Sequence, residues 1–470
     1  MSENPKVAIV IVTWNKKSYV MELLTSLRNI NYDNLDIIVV DNASTDDTCQ
    51  AIREQFPHVN LIVNPENLGG TGGFNTGLRY VLKKGGYKYT WLLDNDAVVE
   101  RETLIELVKV MEEDDKVGIT GSIIMEPDMD MIVELGAYVS WSIGTWKPNY
   151  RNNRLSAIKE IDTTEVDYVA ACSSLVRNEA LYKIGVMDER YFIHWDDIDL
   201  SLRAKEAGYK VMASPKSKAY HGLEDKPINP LLSYYDVRNG LLTITKHQNG
   251  VKRFIYLLNM LRGTGKGIVY SLLSGLHSTA KLLLFGPLDF VRGKFYKTGI
   301  AVKMDDTLPD PASKIILFEG LNISNKSKIL ILPNGSYSLI KRMVEGLKET
   351  SSGCHISLLI QSDRLELFKG LEIDRFIIFE GYKQSTLQTI SILKEILESN
   401  YDLCISPSRS MLPFSYAVKK YYLYDHKRDY FIKSKEDIYA SWKLFVSFLG
   451  GELLAIILMP FVYLKSLAHQ

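Results

Sequence analysis

The chain is poor in cysteine and has no excess of charge of either sign. Its four cysteines, Cys49, Cys172, Cys354 and Cys404, lie far apart in 470 residues and form no C-x-x-C pair. That spacing excludes a zinc ribbon or a disulfide framework and fits a reducing compartment. Lys plus Arg and Asp plus Glu both number 56, so the formal net charge is zero. A protein that coats nucleic acid would carry a basic excess. No basic stretch precedes the first apolar run, so VAIVIVT at 7–13 reads as a buried strand rather than a secretory signal. Apolar residues make up 46% and charged residues 24%, a globular balance, and the length implies two or three domains.

What is present is an alternation of strand and helix patterns. LDIIVVD at 35–41, NLIVN at 60–64 and YTWLLDND at 89–96 read as further strands, separated by amphipathic stretches. The fold class is therefore α/β with a largely parallel sheet. Ligands of such a sheet bind outside the carboxyl ends of its strands. Thr13 and Asn15, Asp41, the glycine-rich loop from Asn67 through Gly69 and Gly72, and Asp94-Asn95-Asp96 all fall at such ends. These converging loops make Thr13, Asn15, Asp41, Asn67, Gly69, Gly72, Asp94 and Asn95 the candidate donor-binding residues.

Two acidic clusters carry the chemistry. Crowded carboxylates repel one another unless a cation or a proton-transfer role holds them together. Asp94 and Asp96 end a buried apolar strand, at a spacing that directs two carboxylates to one hard cation. Mg²⁺ or Mn²⁺ there would bridge to a diphosphate. The second cluster, Trp195-Asp196-Asp197-Ile198-Asp199, offers a general base for an acceptor hydroxyl. Asp197 is the first candidate, with Asp196 and Asp199 as competitors. In a helix, 196 and 199 share a face that 197 does not, and Arg203 pairs with Asp199 at i, i+4. Trp195 either stacks on an acceptor sugar or packs. His221 follows a strand-like run and is a third metal ligand, with His194 as its rival.

The motifs VTWN, VVDNASTDDT, NPENLGGTGGFNTG, WLLDNDA, WDDIDLSLRAKEAGYK and AYHG, in this order over about residues 6–245, resemble glycosyltransferase family 2. The resemblance is strongest to its galactofuranosyl- and rhamnosyltransferase branch. It implies a GT-A fold, a nucleotide-sugar donor, a divalent cation and inversion at the anomeric carbon. It also implies that Asp41 contacts the nucleoside, that Asp94 and Asp96 are the D-x-D pair, that Asp197 is the base and that His221 completes the metal site.

The remainder is read from pattern alone. Residues 246–303 carry ten basic residues and one acid, Asp289, a net +9, at helical apolar spacing. This is either a connector with a solvated basic face or a surface for anionic lipid. Four further strand-like runs from KILILPNGS onward give a smaller doubly wound domain, in which Gly335-Ser336 forms a plain turn or a phosphate cradle. The apolar stretch 444–464 has one charge, Glu452, and suits an interfacial or re-entrant helix, ahead of one packed on protein or a full span.

The expected layout is a catalytic domain at 1–245, a basic helical region at 246–305, a second α/β domain at 325–435 and a membrane-associated helix at 440–470. The expected function is transfer of a sugar from a UDP- or dTDP-linked donor to a lipid-linked or surface glycan. The expected location is the cytoplasmic face of the cell membrane, with no nucleic-acid partner and with room for a homo-oligomer. A degenerate transferase acting as scaffold and a nucleotidyltransferase are the alternatives.

Overall fold

A computed structural model describes residues 4–127, 130–151, 153–158, 160–221, 230–273, 276–300, 315–316, 318–332, 337–379, 386–406, 421–425, 430–433 and 440–468. They group into two compact units. One joins Met1–Leu272, Leu276–Met304 and Gly450–Gln470; the other joins Leu273–Gly275 and Asp305–Leu449.

The first unit is built on β1 (Val7–Thr13), β2 (Leu35–Asp41), β3 (Asn60–Val63), β4 (Tyr89–Asp94), β5 (Ala97–Val99), β6 (Val117–Met125), β7 (Ile132–Glu134), a separate hairpin of β8 (Ala137–Ser140) and β9 (Thr145–Pro148), then β10 (Thr164–Glu165), β11 (Ser173–Arg177) and β12 (Lys210–His221). The sheet runs β10-β12-β6-β11-β4-β1-β2-β3, with β5 on β12 and β7 on β6. The helices are α1 (Lys17–Leu27), α2 (Thr48–Gln55), α3 (Gly69–Lys84), α4 (Thr103–Glu113), α5 (Asn178–Ile184), α6 (Asp196–Glu206), α7 (Pro230–His247), α8 (Gly250–Leu273) and α9 (His277–Arg292).

Alternate residues of β1 face opposite layers. Val7, Ile9 and Ile11 join Leu23, Leu24, Ile52 and Leu104, while Ala8 and Val10 join Phe74, Leu78 and Val81. Both faces are covered, so the strand is apolar throughout. Each such Ile or Val contributes roughly 1.5–3 kcal/mol by leaving water.

The glycine-rich stretch corrects the sequence reading. It is not a loop but the first two turns of α3. The reason is close packing: a Cβ on Gly73 would lie 2.4 Å from Val12 Cγ1, and one on Gly77 2.3 Å from Val10 Cγ1. The glycines let the helix sit down on β1. Gly69 alone needs glycine's backbone freedom, with φ +76° and no room for a Cβ beside the Phe192 carbonyl.

The basic region does not stand apart either. Leu257, Met260 and Leu261 of α8 and Phe290 of α9 share one core with Trp195, Ile198, Ala455, Leu458, Met459 and Val462. Several of its ten basic residues are engaged internally, Arg292 with Asp289 at 3.8 Å among them. Lys246 pairs with Asp188 and Asp199, Arg253 donates to the Ser466 carbonyl, and Arg262 and Lys266 face Glu452. The charge available to a membrane is therefore smaller than the sequence sum. The apolar C-terminal stretch lies in one helix, Ala440–Leu467, that continues through Pro460. Its part Leu449–Leu467 is long and apolar enough to cross a membrane, and 33% of that window is buried.

The second unit has β13 (Ile315–Ile316), β14 (Lys328–Ile331), β15 (His355–Gln361), β16 (Arg375–Phe379), β17 (Leu403–Ser406), β18 (Tyr421–Asp425) and β19 (Tyr430–Lys433), ordered β13-β19-β18-β17-β14-β15-β16. From β18 to β16 the strands are parallel, and the order turns back between β14 and β17, a doubly wound arrangement. Gly335 and Ser336 lie outside the described residues.

Candidate active site

Strand register sets the rim of the site. Thr13 pairs with Asp41, and Val12 with Asp94, so the carboxyl ends of β1, β2 and β4 are level. Asn95 donates to Thr13 Oγ1 at 3.1 Å and ties two of these ends together. Asp41 is fully buried. Its Oδ1 accepts the Ser44 N–H at 2.8 Å, and among the described residues its Oδ2 has no hydrogen-bond partner, though the Cys49 thiol lies near the carboxylate. A buried carboxylate oxygen without a donor is costly unless something else supplies one. Asn15 is exposed and accepts the Thr45 N–H at 2.7 Å, bracing the loop after β2. Asn67 accepts the Gly69 N–H at 2.8 Å and so starts α3. A Cβ on Gly72 would come 2.5 Å from Leu68 Cβ. For Asn67, Gly69 and Gly72 the structure gives helix-start and packing contacts.

The next strand pairing brings in the histidine. β12 runs antiparallel to β5 and places His221 opposite Ala97, the residue after Asp96. His221 Nε2 lies 3.1 Å from Asp96 Oδ1 and 3.9 Å from Asp94 Oδ2. One ligand atom from each of the three residues lies within 4.8 Å of the others. Burial first, and then the Asp96 charge, push the Asp94 carboxyl up to about 6, against the pull of His221. His194 is engaged elsewhere: its Nδ1 is 2.8 Å from Asp236 Oδ1.

The three aspartates of α6 divide into three environments. Asp196 is buried and accepts from Thr71 Oγ1 of α3 at 2.7 Å. Asp199 is fully buried beside Arg203, Lys246 and His247, at 2.8, 2.5 and 3.0 Å. Burial opposes its charge, but His247, Lys246 and Arg203 hold its carboxyl well below the usual range. Asp197 is the half-buried one. It accepts the Ile198 N–H at 2.8 Å and the Ala171 N–H at 3.3 Å. Ala171 adjoins Cys172, whose carbonyl accepts the Asp94 N–H at 3.4 Å, so Asp197 is anchored beside the end of β4. Burial, and then the like charge of Asp196, raise the Asp197 carboxyl to about 7.

Of its two expected roles, Trp195 takes packing. It is 2% exposed and meets Trp146 edge to face at 5.4 Å, so its ring is core and presents no face to an acceptor. Another buried carboxylate, Glu134 at the end of β7, carries no motif signal in the sequence. It has one oxygen without a partner and lies near enough to Asp197 and His221 to act on both electrostatically.

Also missed were Arg238 and Asn239 of α7. Phe192, His194 and Trp195 all have φ between +62° and +70°, a region costly for residues with a Cβ. The Asn239 amide donates to the carbonyls of Tyr191, Ile193 and His194 at 3.0, 2.8 and 2.9 Å. The fully buried Arg238 guanidinium donates to Arg190 and Tyr191 carbonyls at 3.0 and 2.9 Å, and lies 4.9 Å from the Tyr235 ring. Five hydrogen bonds from two adjacent residues thus hold the strained loop that starts α6. An Arg-Asn pair within a helical pattern gives no sequence signal for this. Asn239→Ala takes this donor from the Ile193 and His194 carbonyls, about 1–3 kcal/mol each where buried, while the Tyr191 carbonyl keeps Arg238. Transfer kcat should fall about tenfold or more in steady-state assays, with nucleoside-diphosphate affinity kept. An unchanged kcat would remove the loop from the account.

Residues 8–185 match glycosyl transferase family 2. An N-acetylglucosaminyl-diphospho-decaprenol L-rhamnosyltransferase of Mycobacterium tuberculosis is 26% identical over 233 residues, covering 45% of this chain and 75% of the relative. A dTDP-rhamnosyl transferase, RfbF, of Shigella flexneri is 26% identical over 255 residues, covering 52% and 81%. Among solved structures, GalNAc-T7 with UDP, GalNAc and Mn²⁺ superposes with a TM-score of 0.46 at 15% identity, over 56% of this chain and 51% of that one. The candidate site lies on the carboxyl edge of the first unit's sheet, within the matched residues. Residues 8–185 carry a glycosyl transferase family 2 domain, and the chain is a glycosyltransferase.

Proposed function

We propose that this chain moves a sugar from a nucleoside-diphosphate donor to a hydroxyl of a lipid-linked or surface glycan, with inversion, at the inner face of the cell membrane. Rhamnose from a dTDP-linked donor is favoured, with galactofuranose from a UDP-linked donor second. The observation that carries the reading is the meeting of Asp94, Asp96 and His221 on the same edge as the half-buried Asp197. Two carboxylate oxygens and one imidazole nitrogen fit a divalent cation, and the nitrogen suits Mn²⁺ better than Mg²⁺. Asp94, Asp96 and His221 would hold that cation, which supplies positive charge to the departing diphosphate.

The protein residues then divide the work. Asp41, with its unpaired oxygen, hydrogen-bonds the nucleoside, while Thr13, Asn15 and Asn95 shape the rim around it. Asp197 takes the proton from the acceptor hydroxyl as that oxygen attacks the anomeric carbon. The bond from that carbon to the diphosphate breaks on the opposite side. One displacement with one base gives inversion. Asp196, fixed by Thr71, keeps the Asp197 carboxyl basic through its charge. Asp199 is committed to Arg203, Lys246 and His247 and anchors α6.

The test is mass spectrometry of products from a panel of dTDP- and UDP-linked sugars with a prenyl-diphosphate-linked acceptor. A product one sugar heavier with dTDP-rhamnose supports the favoured donor. Donor turnover with none of the panel would contradict the reading.

A further inference from the structure

Among the described residues the outer face of the C-terminal helix has no protein partner, and its chemistry names what covers it. Leu453, Ile456, Ile457, Phe461, Leu464 and Leu467 follow one another at helical spacing and are 45–66% exposed. The opposite face, Ala455, Leu458, Met459 and Val462, is buried in the core that also holds Trp195 and Phe290. The neighbouring α8 runs antiparallel, with Arg262 against Glu452 and the Phe254 ring 5.2 Å from that of Tyr463. It adds exposed Val251, Phe254 and Ile255 beside the stripe. Six large apolar side chains on one face of one helix exceed the scattered exposure of an ordinary surface.

The charge around this face is of one sign. Lys252, next to Val251, and Arg292 and Lys294, on either side of Gly293, are exposed. A Cβ on Gly293 would come 3.2 Å from Lys465 Nζ, so Lys465, Arg292 and Lys294 gather at one end of the stripe. The acids of the same stretches are Asp289, buried against Tyr234, and Glu452, paired with Arg262. An apolar stripe with a cationic rim complements an anionic bilayer.

We propose that this stripe is a monotopic membrane-docking surface. The helix lies in the plane of an anionic leaflet with its outer face among the acyl chains and its inner face still in the protein core. It does not span. A span would pull Ala455, Leu458, Met459 and Val462 out of that core, strip Glu452 from Arg262 and Lys266, and break the bond from Arg253 to the Ser466 carbonyl. In-plane docking places the first unit, and with it the candidate active site, at the leaflet that would present a lipid-linked acceptor. This deepens the membrane location in the proposed function and rests on it.

The test uses the full chain and the double variant Ile456→Asp/Phe461→Asp, whose changes fall on solvated positions. Co-sedimentation with vesicles of phosphatidylcholine alone, or with added phosphatidylglycerol, reads binding. Hydrolysis of the sugar donor, followed in solution without vesicles, reads the catalytic site separately. Wild type should bind phosphatidylglycerol vesicles at least tenfold better than neutral ones and be released by alkaline carbonate. The double variant should lose at least tenfold in vesicle binding with donor hydrolysis unchanged. Retention through the carbonate wash would overturn the in-plane arrangement in favour of a span. Undiminished vesicle binding by the variant would overturn the surface, and a wild-type dimer that the variant converts to a monomer would assign the face to a second copy. Loss of hydrolysis by the wild type would count against the catalytic reading and leave the docking result standing.

Discussion

Asp197→Asn is expected to abolish sugar transfer while leaving nucleoside-diphosphate affinity nearly unchanged. The amide keeps the shape of the side chain and can still accept the Ile198 N–H, but it cannot take the acceptor proton. The loss then falls on the chemical step, about a hundredfold or more. The carboxyl is raised to about 7 by burial and by Asp196, so wild-type activity should climb with pH through that region as the base loses its proton. The sign for stability is the reverse. A carboxyl whose folded pKa lies above its unfolded value, about 3.9, costs stability once pH rises past the unfolded value. The Asn variant should therefore melt no lower than wild type at pH 8. Asp196→Asn removes an acceptor for Thr71 and a charge beside Asp197 but not the base, so it should cost less. If kinetics ranked the two variants the other way, the base would be Asp196.

Removing the cation should have a comparable effect by another route. Chelation with excess EDTA should lower transfer by about a hundredfold or more, with Mn²⁺ restoring it at lower concentration than Mg²⁺. Asp96→Ala deletes the carboxylate nearest His221 Nε2 and should weaken donor binding together with rate, because the same cation holds the diphosphate and supports its departure. His221→Ala should follow in the same direction and raise the Mn²⁺ concentration needed for half activity. Asp94 and Asp96 repel each other in the free protein, and burial already lifts the Asp94 carboxyl to about 6. A bound cation should pull that value down, so metal affinity should fall as pH drops below about 6. Full activity in EDTA would contradict the whole arrangement.

The parts that sequence conveys are those set by local order. An apolar run ending in Asp94-Asn95-Asp96 can only be a strand delivering acids to a rim. The pairing of His221 with Ala97, by contrast, depends on two strands more than a hundred residues apart. The glycine stretch misled for a physical reason: glycine serves both loops and close helix packing, and only the clash of a Cβ with Val10 and Val12 decides between them. Trp195 stayed open because an aromatic beside acids suits a ligand platform as well as a core, and its ring fills the space against Trp146. The charge of residues 246–303 was overcounted because Arg262 and Lys266 meet Glu452 at long sequence separation. Arg238 and Asn239 left no trace at all, since their partners are backbone carbonyls, which every sequence has.

Asp94, Asp96 and His221 are expected to hold a cation and a nucleoside diphosphate beside Asp197, and anomalous diffraction from crystals grown with Mn²⁺ and UDP or dTDP reads this without intermediate steps. One strong manganese peak is expected within bonding distance of Asp94, Asp96 and His221, with the diphosphate bound to it and the nucleoside reaching Asp41. A nucleotide bound away from this edge, or manganese absent from it while the nucleotide is present, would contradict the claim.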